Sequence, residues 1–192
     1  PDDDSGGLLS LGAAVTTISP VGVERYENAA QRIAAQVLGD SERQNEFFPC
    51  VPASETALDS ECLALTIDEV GTRLWRRQLS TDEISAVATI ASSIAADSGD
   101  PVLGATYGLS ALLQSPHFIY RNEGADGVLD GQALASKLSF FFWNSAPDDE
   151  LLSLAADDSL LDEEVYQGQL DRLQEDERFR RGVRHFFDEV LE

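Results

Sequence analysis

The residues able to do chemistry near neutral pH are few in this sequence. Two histidines and two cysteines are the whole complement of imidazole and thiol in 192 residues. His117 follows Pro116 at a helix start and is flanked by aromatic residues, Phe118 next to it and Tyr120 beyond. A neutral imidazole there could ligate a metal or a haem iron. Its plainer use is to hydrogen-bond its neighbours and set the turn. Arg121 stands four residues on, and His117 and Arg121 are the residues that would line a site. His185 falls away from Phe186 in the helix they share, which places it at the surface or a rim.

Cys50 and Cys62 are separated by a Pro/Ser/Glu-rich stretch. A metal centre needs more ligands than two, and no histidine lies near them in sequence. A redox pair is normally spaced C-x-x-C. A structural disulfide fits best. Closing a loop of this size contributes about 3 kcal/mol in the chain-entropy model, and it implies an oxidising compartment. Two buried free thiols in a cytosolic protein are the other arrangement the spacing allows.

Arg73, Arg76 and Arg77 cluster at the predicted end of a helix, where cations complement the helix dipole. Contact with an acidic partner, or internal salt bridges, would use them equally well. Carboxylate pairs such as Asp148–Asp149 say little in a chain with 35 acidic residues. At a helix N-terminus the dipole explains them. No C-x-x-C-H haem attachment, G-x-S-x-G, H-E-x-x-H or Gly-rich phosphate loop occurs. Asp2–Asp3–Asp4 lacks the spacing of a calcium loop and reads as a solvated linker. The sequence therefore offers no metal site and no cofactor site of its own.

Composition narrows the partners. The formal charge is -22, from 35 acidic against 13 basic residues, and Lys137 is the only lysine. Such a surface repels phosphate backbones and anionic lipid, so nucleic acid is excluded as a natural partner. No window approaches the ~18 apolar residues of a membrane span. There is no methionine and no signal peptide. The chain opens on PDDDSGG and stops within an apparent helix, which reads as an internal piece of a larger or processed protein.

The elements that must position these residues are all helical. Val23, Tyr26, Ala30, Ile33 and Val37 recur at helical spacing, with Gly39 as a stop. A long connection spans 39–60. Asp59 or Ser60 caps a helix running to Arg77. Ser80 and Glu83 form a capping box for a helix that turns Ile84, Val87, Ile90, Ala91 and Ile94 inward. After Ser98–Pro101 a helix apolar on most faces, 102–114, belongs in the core. Asp130 caps 132–143, whose Leu134, Leu138, Phe141 and Phe142 share a face. Ser145 and Asp148 form a capping pair around Pro147, which suits the first turn of a helix over 148–156. Asp162 caps a further helix, and Asp176–Glu177 open the last, with Phe179, Val183, Phe186, Phe187 and Val190 on its apolar side. No alternating strand pattern appears. The expectation is an all-α bundle of about eight helices with one disulfide. It divides into a lead-in over 1–20, an N-terminal part over 21–114 with the cysteine pair and a C-terminal part over 115–192, on one continuous core.

Three segments together carry a resemblance. Ser115–Arg121 (SPHFIYR), Leu134–Trp143 (LASKLSFFFW) and Ala146–Leu152 (APDDELL) resemble the signature "LLxSPHFLYR … LASRLSYFLW … PPDDELLxLA". It belongs to large bacterial proteins of planctomycetes, myxobacteria and their relatives, built of domains of unknown function and often found with planctomycete-type cytochrome c domains. Arg73–Ser80 (RLWRRQLS) is similar to that family's "RAFRRPLT" element, with Gln78 where the family usually has proline. That exchange should loosen the turn and keep the fold. The resemblance covers roughly residues 15–192, and the cysteines lie where members carry a pair. It implies a periplasmic, cell-surface or extracellular setting. It also implies partners in other segments of the same protein or in a c-type cytochrome domain, with haem c on that associated domain. No reaction is established for the family, so no catalytic residue is carried over. Two functions follow as expectations: a helical domain of an exported, cytochrome-linked protein in an extracytoplasmic redox process, or a non-enzymatic scaffold or interaction module.

Overall fold

In a computed structural model of the chain, residues 19–50, 58–121 and 128–191 are described. The Asp2–Asp4 run, most of the 1–20 lead-in and residues 124–127, which the Gly-rich sequence suggests as a loop, lie outside the described residues. Among the described residues there are ten α-helices, one 3₁₀ turn and no strand. The helices are α1 (Pro20–Leu38), α2 (Ser41–Phe47), α3 (Ser60–Trp75), α4 (Thr81–Ser98), α5 (Pro101–Gln114) and α6 (Pro116–Ile119), then α7 (Gly131–Trp143), α8 (Asp149–Ala156), α9 (Glu163–Glu175) and α10 (Glu177–Leu191). The 3₁₀ turn, Ser159–Leu161, joins α8 to α9.

The all-α expectation holds, with two more helices than expected. Both are short: α2 lies in the stretch read as a connection, and α6 is the single turn that the start at Pro116 amounts to. Asp40 caps α2 by accepting from the Glu42 and Arg43 N–H groups. The Arg43 and Gln44 side chains then donate to the carbonyls of Gln36 and Leu38, which end α1. Ser115 caps the single turn of α6 at Pro116. Neither segment has an apolar period long enough to register as a helix.

The disulfide also holds: Cys50 and Cys62 are bonded, with their Cα atoms 5.7 Å apart. Asp59 caps α3, accepting from the Glu61 and Cys62 N–H groups. The capping box at α4 is complete in both directions. Gly99, at φ 72°, ends α4 in the left-handed region, where a residue with no Cβ is unstrained. Asp100 then caps α5 with Pro101 in its first turn.

The chain divides into two compact units. The first, Glu24–Asn122, contains the SPHFIYR segment. Its core gathers Leu63, Ile67, Trp75, Leu79, Val87 and Leu112, beside a second cluster of Ala30, Ala34, Leu109 and Leu113. α4 and α5 approach closely at Gly108, where an added methyl would sit 3.2 Å from the Ala91 Cβ. The second unit contains Glu123–Glu192. Its core is Ala135, Leu138, Trp143, Leu151, Leu160 and Leu173, with Phe142 and Phe179 packed at the edge.

Several expectations need correction. α3 stops at Trp75, not Arg77, because Arg76 takes φ 59° and leaves the helix. Pro147 is outside α8: Asp148 alone is the cap, accepting from Leu151 N–H. Phe141 is 80 % exposed although Leu138 beside it is buried. Ile90 on α4 is exposed too, as are Val183, Phe186, Phe187 and Val190 on α10. Ile90 and Phe141 lie at the margin of the stripe their helices turn to the core, whereas the α10 residues continue the stripe of Phe179 beyond the turn that packs on the second core. Apolar identity alone does not say how wide that stripe is.

Candidate functional site

The end of α3, the start of α4 and the junction of α5 with α6 build the site around His117. Trp75 is the last residue of α3 and is 8 % exposed. Its indole Nε1–H donates to the carbonyl of Leu112, near the end of α5, at 3.0 Å. A buried indole N–H needs such a partner. The His117 ring leans on the Trp75 ring with centroids 4.9 Å apart and planes tilted by 42°. The Arg77 guanidinium carbon lies 5.2 Å from the indole centroid, within cation–π range.

Glu83 ties this edge together. Arg77 donates to it from both terminal nitrogens, at 2.6 and 2.9 Å. Ser80 donates its N–H and hydroxyl to the same carboxylate. The hydrogen bond from Arg77 is the main reason the Glu83 carboxyl is held down to about 2; the Ser80 N–H adds to it against the opposing effect of burial. His117 Nε2 is 3.6 Å from Glu83 Oε1, an electrostatic neighbour at longer than hydrogen-bond range.

Arg76 locks the same junction from inside. Its guanidinium donates to the carbonyls of Leu74, His117, Phe118 and Tyr120, the closest being His117 at 2.7 Å. Those last three carbonyls are at the C-terminal end of α6, where a helix leaves its acceptors unpaired. Burial first, and the nearby Arg121 charge second, lower the Arg76 pKa, though a guanidinium stays protonated in any protein setting. His117 and Arg121 thus meet through Arg76: one gives it a carbonyl, the other repels it. Arg121 is itself exposed.

This arrangement gives an imidazole whose side chain is 51 % exposed, held on a rigid ring beside a carboxylate. It can donate or accept one hydrogen bond, or offer one ligand nitrogen, at the surface. Among the described residues no group of three or more His, Cys, Asp or Glu side chains converges as a metal site. The disulfide is at the far end of α3, about 20 Å along the helix from Trp75 at 1.5 Å per residue, and takes no part. His185 is exposed on α10.

A second tryptophan cluster went unnoticed in the sequence. In the second unit Trp143 ends α7, is buried, and donates its Nε1–H to the Leu173 carbonyl at 3.0 Å. Arg178 lies 3.5 Å from its ring centroid and Arg172 5.6 Å. Both arginines hold Asp148, at 2.8 Å and 3.2 Å. Burial acts to raise the Asp148 carboxyl, but the hydrogen bonds from Arg172, Leu151 N–H and Arg178 leave it lowered. Asp176 is held at about 2, chiefly by its hydrogen bond from Arg178. Asp148 was legible only as a helix cap. Its arginines come from 24 and 30 residues away, and nothing local announces them.

With this geometry in hand, comparison with known proteins gives a class and then two families. The chain is an all-α, disulfide-bonded protein whose two parts match domains of unknown function. Residues 62–123 match the family described as PSD5: Protein of unknown function (DUF1595). Residues 129–192 match the family described as PSD4: Protein of unknown function (DUF1592). Neither the curated proteins nor the solved structures contain a match. No helix among the described residues is long and apolar enough to cross a membrane.

Proposed function

We propose that this chain is a helical part of an exported, cytochrome-linked bacterial protein serving an extracytoplasmic redox process. On this reading the His117 edge of the first unit faces a domain that carries haem c. The observation that carries the proposal is the exposed imidazole of His117, fixed on Trp75 and beside Glu83. A surface histidine held this firmly suits a contact that must be reproducible in geometry. Support for the setting comes from the resemblance to cytochrome-associated proteins and from the disulfide, which oxidising compartments preserve. His117 and Arg121 serve as lining of the contact, with no bond-making role assigned.

The test is an absorbance spectrum with metal analysis on the natively purified full-length protein and whatever co-purifies with it. A Soret band, with binding of the haem-bearing part weakened by His117→Ala, is the expected result. A spectrum without haem, and no stoichiometric iron or copper, refutes it.

A second reading is favoured by one specific observation. α10 carries Val183, Phe186, Phe187, Val190 and Leu191 exposed, more contiguous apolar surface than a helix usually leaves in water. This suits a non-enzymatic scaffold or interaction module. A defined turnover that disappears in His117→Ala, with the fold intact by circular dichroism, refutes that reading.

A further inference from the structure

We infer that the chain contains one structural element twice: the tryptophan hook of α3–α6 in the first unit and that of α7–α10 in the second are two editions of the same design. The correspondence starts at the two tryptophans. Each is the last residue of its helix, and each is followed by a left-handed residue, Arg76 at φ 59° and Asn144 at φ 52°. Five residues after each tryptophan stands the next helix cap, Ser80 or Asp148, whose side chain accepts from the N–H three residues on. The residue just before each cap, Leu79 or Pro147, is buried.

The helices match in register without a gap. Counting back from the tryptophan in fours, Leu63, Ile67 and Gly71 are buried in α3; Gly131, Ala135 and Ser139 are buried in α7. Arg73 and Phe141, two before each tryptophan, are both exposed. That accounts for Phe141: it occupies the solvent position of the design. Going forward, Val87 and Ala155 are the buried residues twelve beyond each tryptophan.

The far ends match as well. Each indole donates to a leucine carbonyl, Leu112 after 37 residues and Leu173 after 30. Three residues past each leucine is another cap, Ser115 or Asp176, with nearly the same backbone angles (φ -62°, ψ 140° and φ -67°, ψ 141°). Each cap accepts from the N–H two residues on, at His117 and Arg178. Those two residues then lie over their own tryptophan, at 4.9 and 3.5 Å. His117 and Arg178 are therefore the same residue of the design, the group that covers the indole. A shared helical bundle geometry would not bring six backbone and side-chain events into one register. The two segments match two different families, and the sequences share little beyond the tryptophan, the leucine and a phenylalanine (Phe118, Phe179).

The editions differ where the covering residue is held. Asp148 and Asp176 close on Arg178, while their counterparts Ser80 and Ser115 are hydroxyls, so His117 stays open to solvent. The inference is independent of the redox reading, since it concerns the backbone design alone.

The 192 residues carry two indole N–H groups, those of Trp75 and Trp143, whose signals in a proton–nitrogen NMR spectrum of the protein are assigned with Trp75→Phe and Trp143→Phe. Both should exchange with water at least ~100-fold more slowly than free indole, as hydrogen-bonded buried groups do. His117→Arg, which writes the second edition's residue into the first, should keep the Trp75 signal protected. His117→Asp should not. Fast exchange at either indole in the unmodified protein overturns the inference. So does loss of Trp75 protection in a folded His117→Arg, and the measurement on the unmodified protein stands whether or not the variants fold.

Discussion

Replacing Arg76 with alanine should be among the most damaging changes to the first unit. The side chain is 6 % exposed and donates to four carbonyls, three of them at the end of α6. Hydrogen bonds to a charged donor are worth about 1.5–3 kcal/mol each. The sum of four overstates the effect, because burying a guanidinium carries a desolvation penalty of several kcal/mol. His117 and Tyr120 are also partly exposed, so water can reach some of the abandoned carbonyls. A net loss of about 2–4 kcal/mol remains. Alanine would also inherit the left-handed backbone at φ 59°, a strain of about 1 kcal/mol that glycine escapes. Arg76→Gly should therefore be about 1 kcal/mol more stable than Arg76→Ala, and Arg76→Lys should fall between alanine and the natural residue. The assay is urea unfolding read by pulsed hydrogen exchange and mass spectrometry, in which peptides from 60–120 and 131–190 report separately. An Arg76→Ala midpoint within about 0.5 kcal/mol of the natural protein in the 60–120 peptides, or a glycine variant less stable than alanine, would show that the lock is misread.

Three further outcomes are expected. Glu83 and Asp176 are both held at about 2 in the folded chain, below the ~4.3 and ~3.9 of unfolded glutamate and aspartate. Their stabilising contribution is complete above about pH 5 and is lost as pH falls through about 2; Glu83→Gln and Asp176→Asn should each flatten the urea midpoint over that window. Reducing Cys50–Cys62 should cost the first unit about 3 kcal/mol by the loop-entropy argument and leave peptides of the second unit unchanged, which calorimetry with and without reductant can check. Gly104→Ala should destabilise the α4–α5 contact by about 1–3 kcal/mol, the usual penalty of overpacking, because the new methyl meets the Ala91 carbonyl; a neutral result in urea unfolding would mean those helices can part at no cost.

What the sequence made legible was local chemistry. Asp59, Ser80, Asp130, Asp148 and Asp162 were all readable as caps, since a cap depends on a side chain and the N–H groups two or three residues away. The helix periods and the cysteine pairing were readable for similar reasons. What stayed hidden was every interaction with a distant partner. The arginine cluster at 73–77 looked like one feature, open to the helix dipole, an acidic partner or internal salt bridges. The structure divides it three ways: Arg73 pairs with Glu69, Arg76 holds the end of α6, and Arg77 grips Glu83. Only Arg73 remains inside the helix it was assigned to, because the chain turns left-handed at Arg76 and sends the next two arginines elsewhere.

The residues that carry the family resemblance mostly turn out to be this framework. Ser115 caps α6; Trp143 is an indole hook; Asp148 is at once a cap and the anchor of two arginines. Each has a structural reason to be the residue it is, so its presence in a signature says nothing about a reaction. His117 is the exception in kind. Its backbone is fully engaged by Arg76 and Ser115, but its ring projects beyond what the hook requires, since an arginine does the same work in the second unit. An arginine would cover Trp75 and pair with Glu83 at least as well. That a histidine stands there, with serines in place of the aspartates that close the other edition, makes the ring nitrogen of His117 the first place to look for a ligand or a partner.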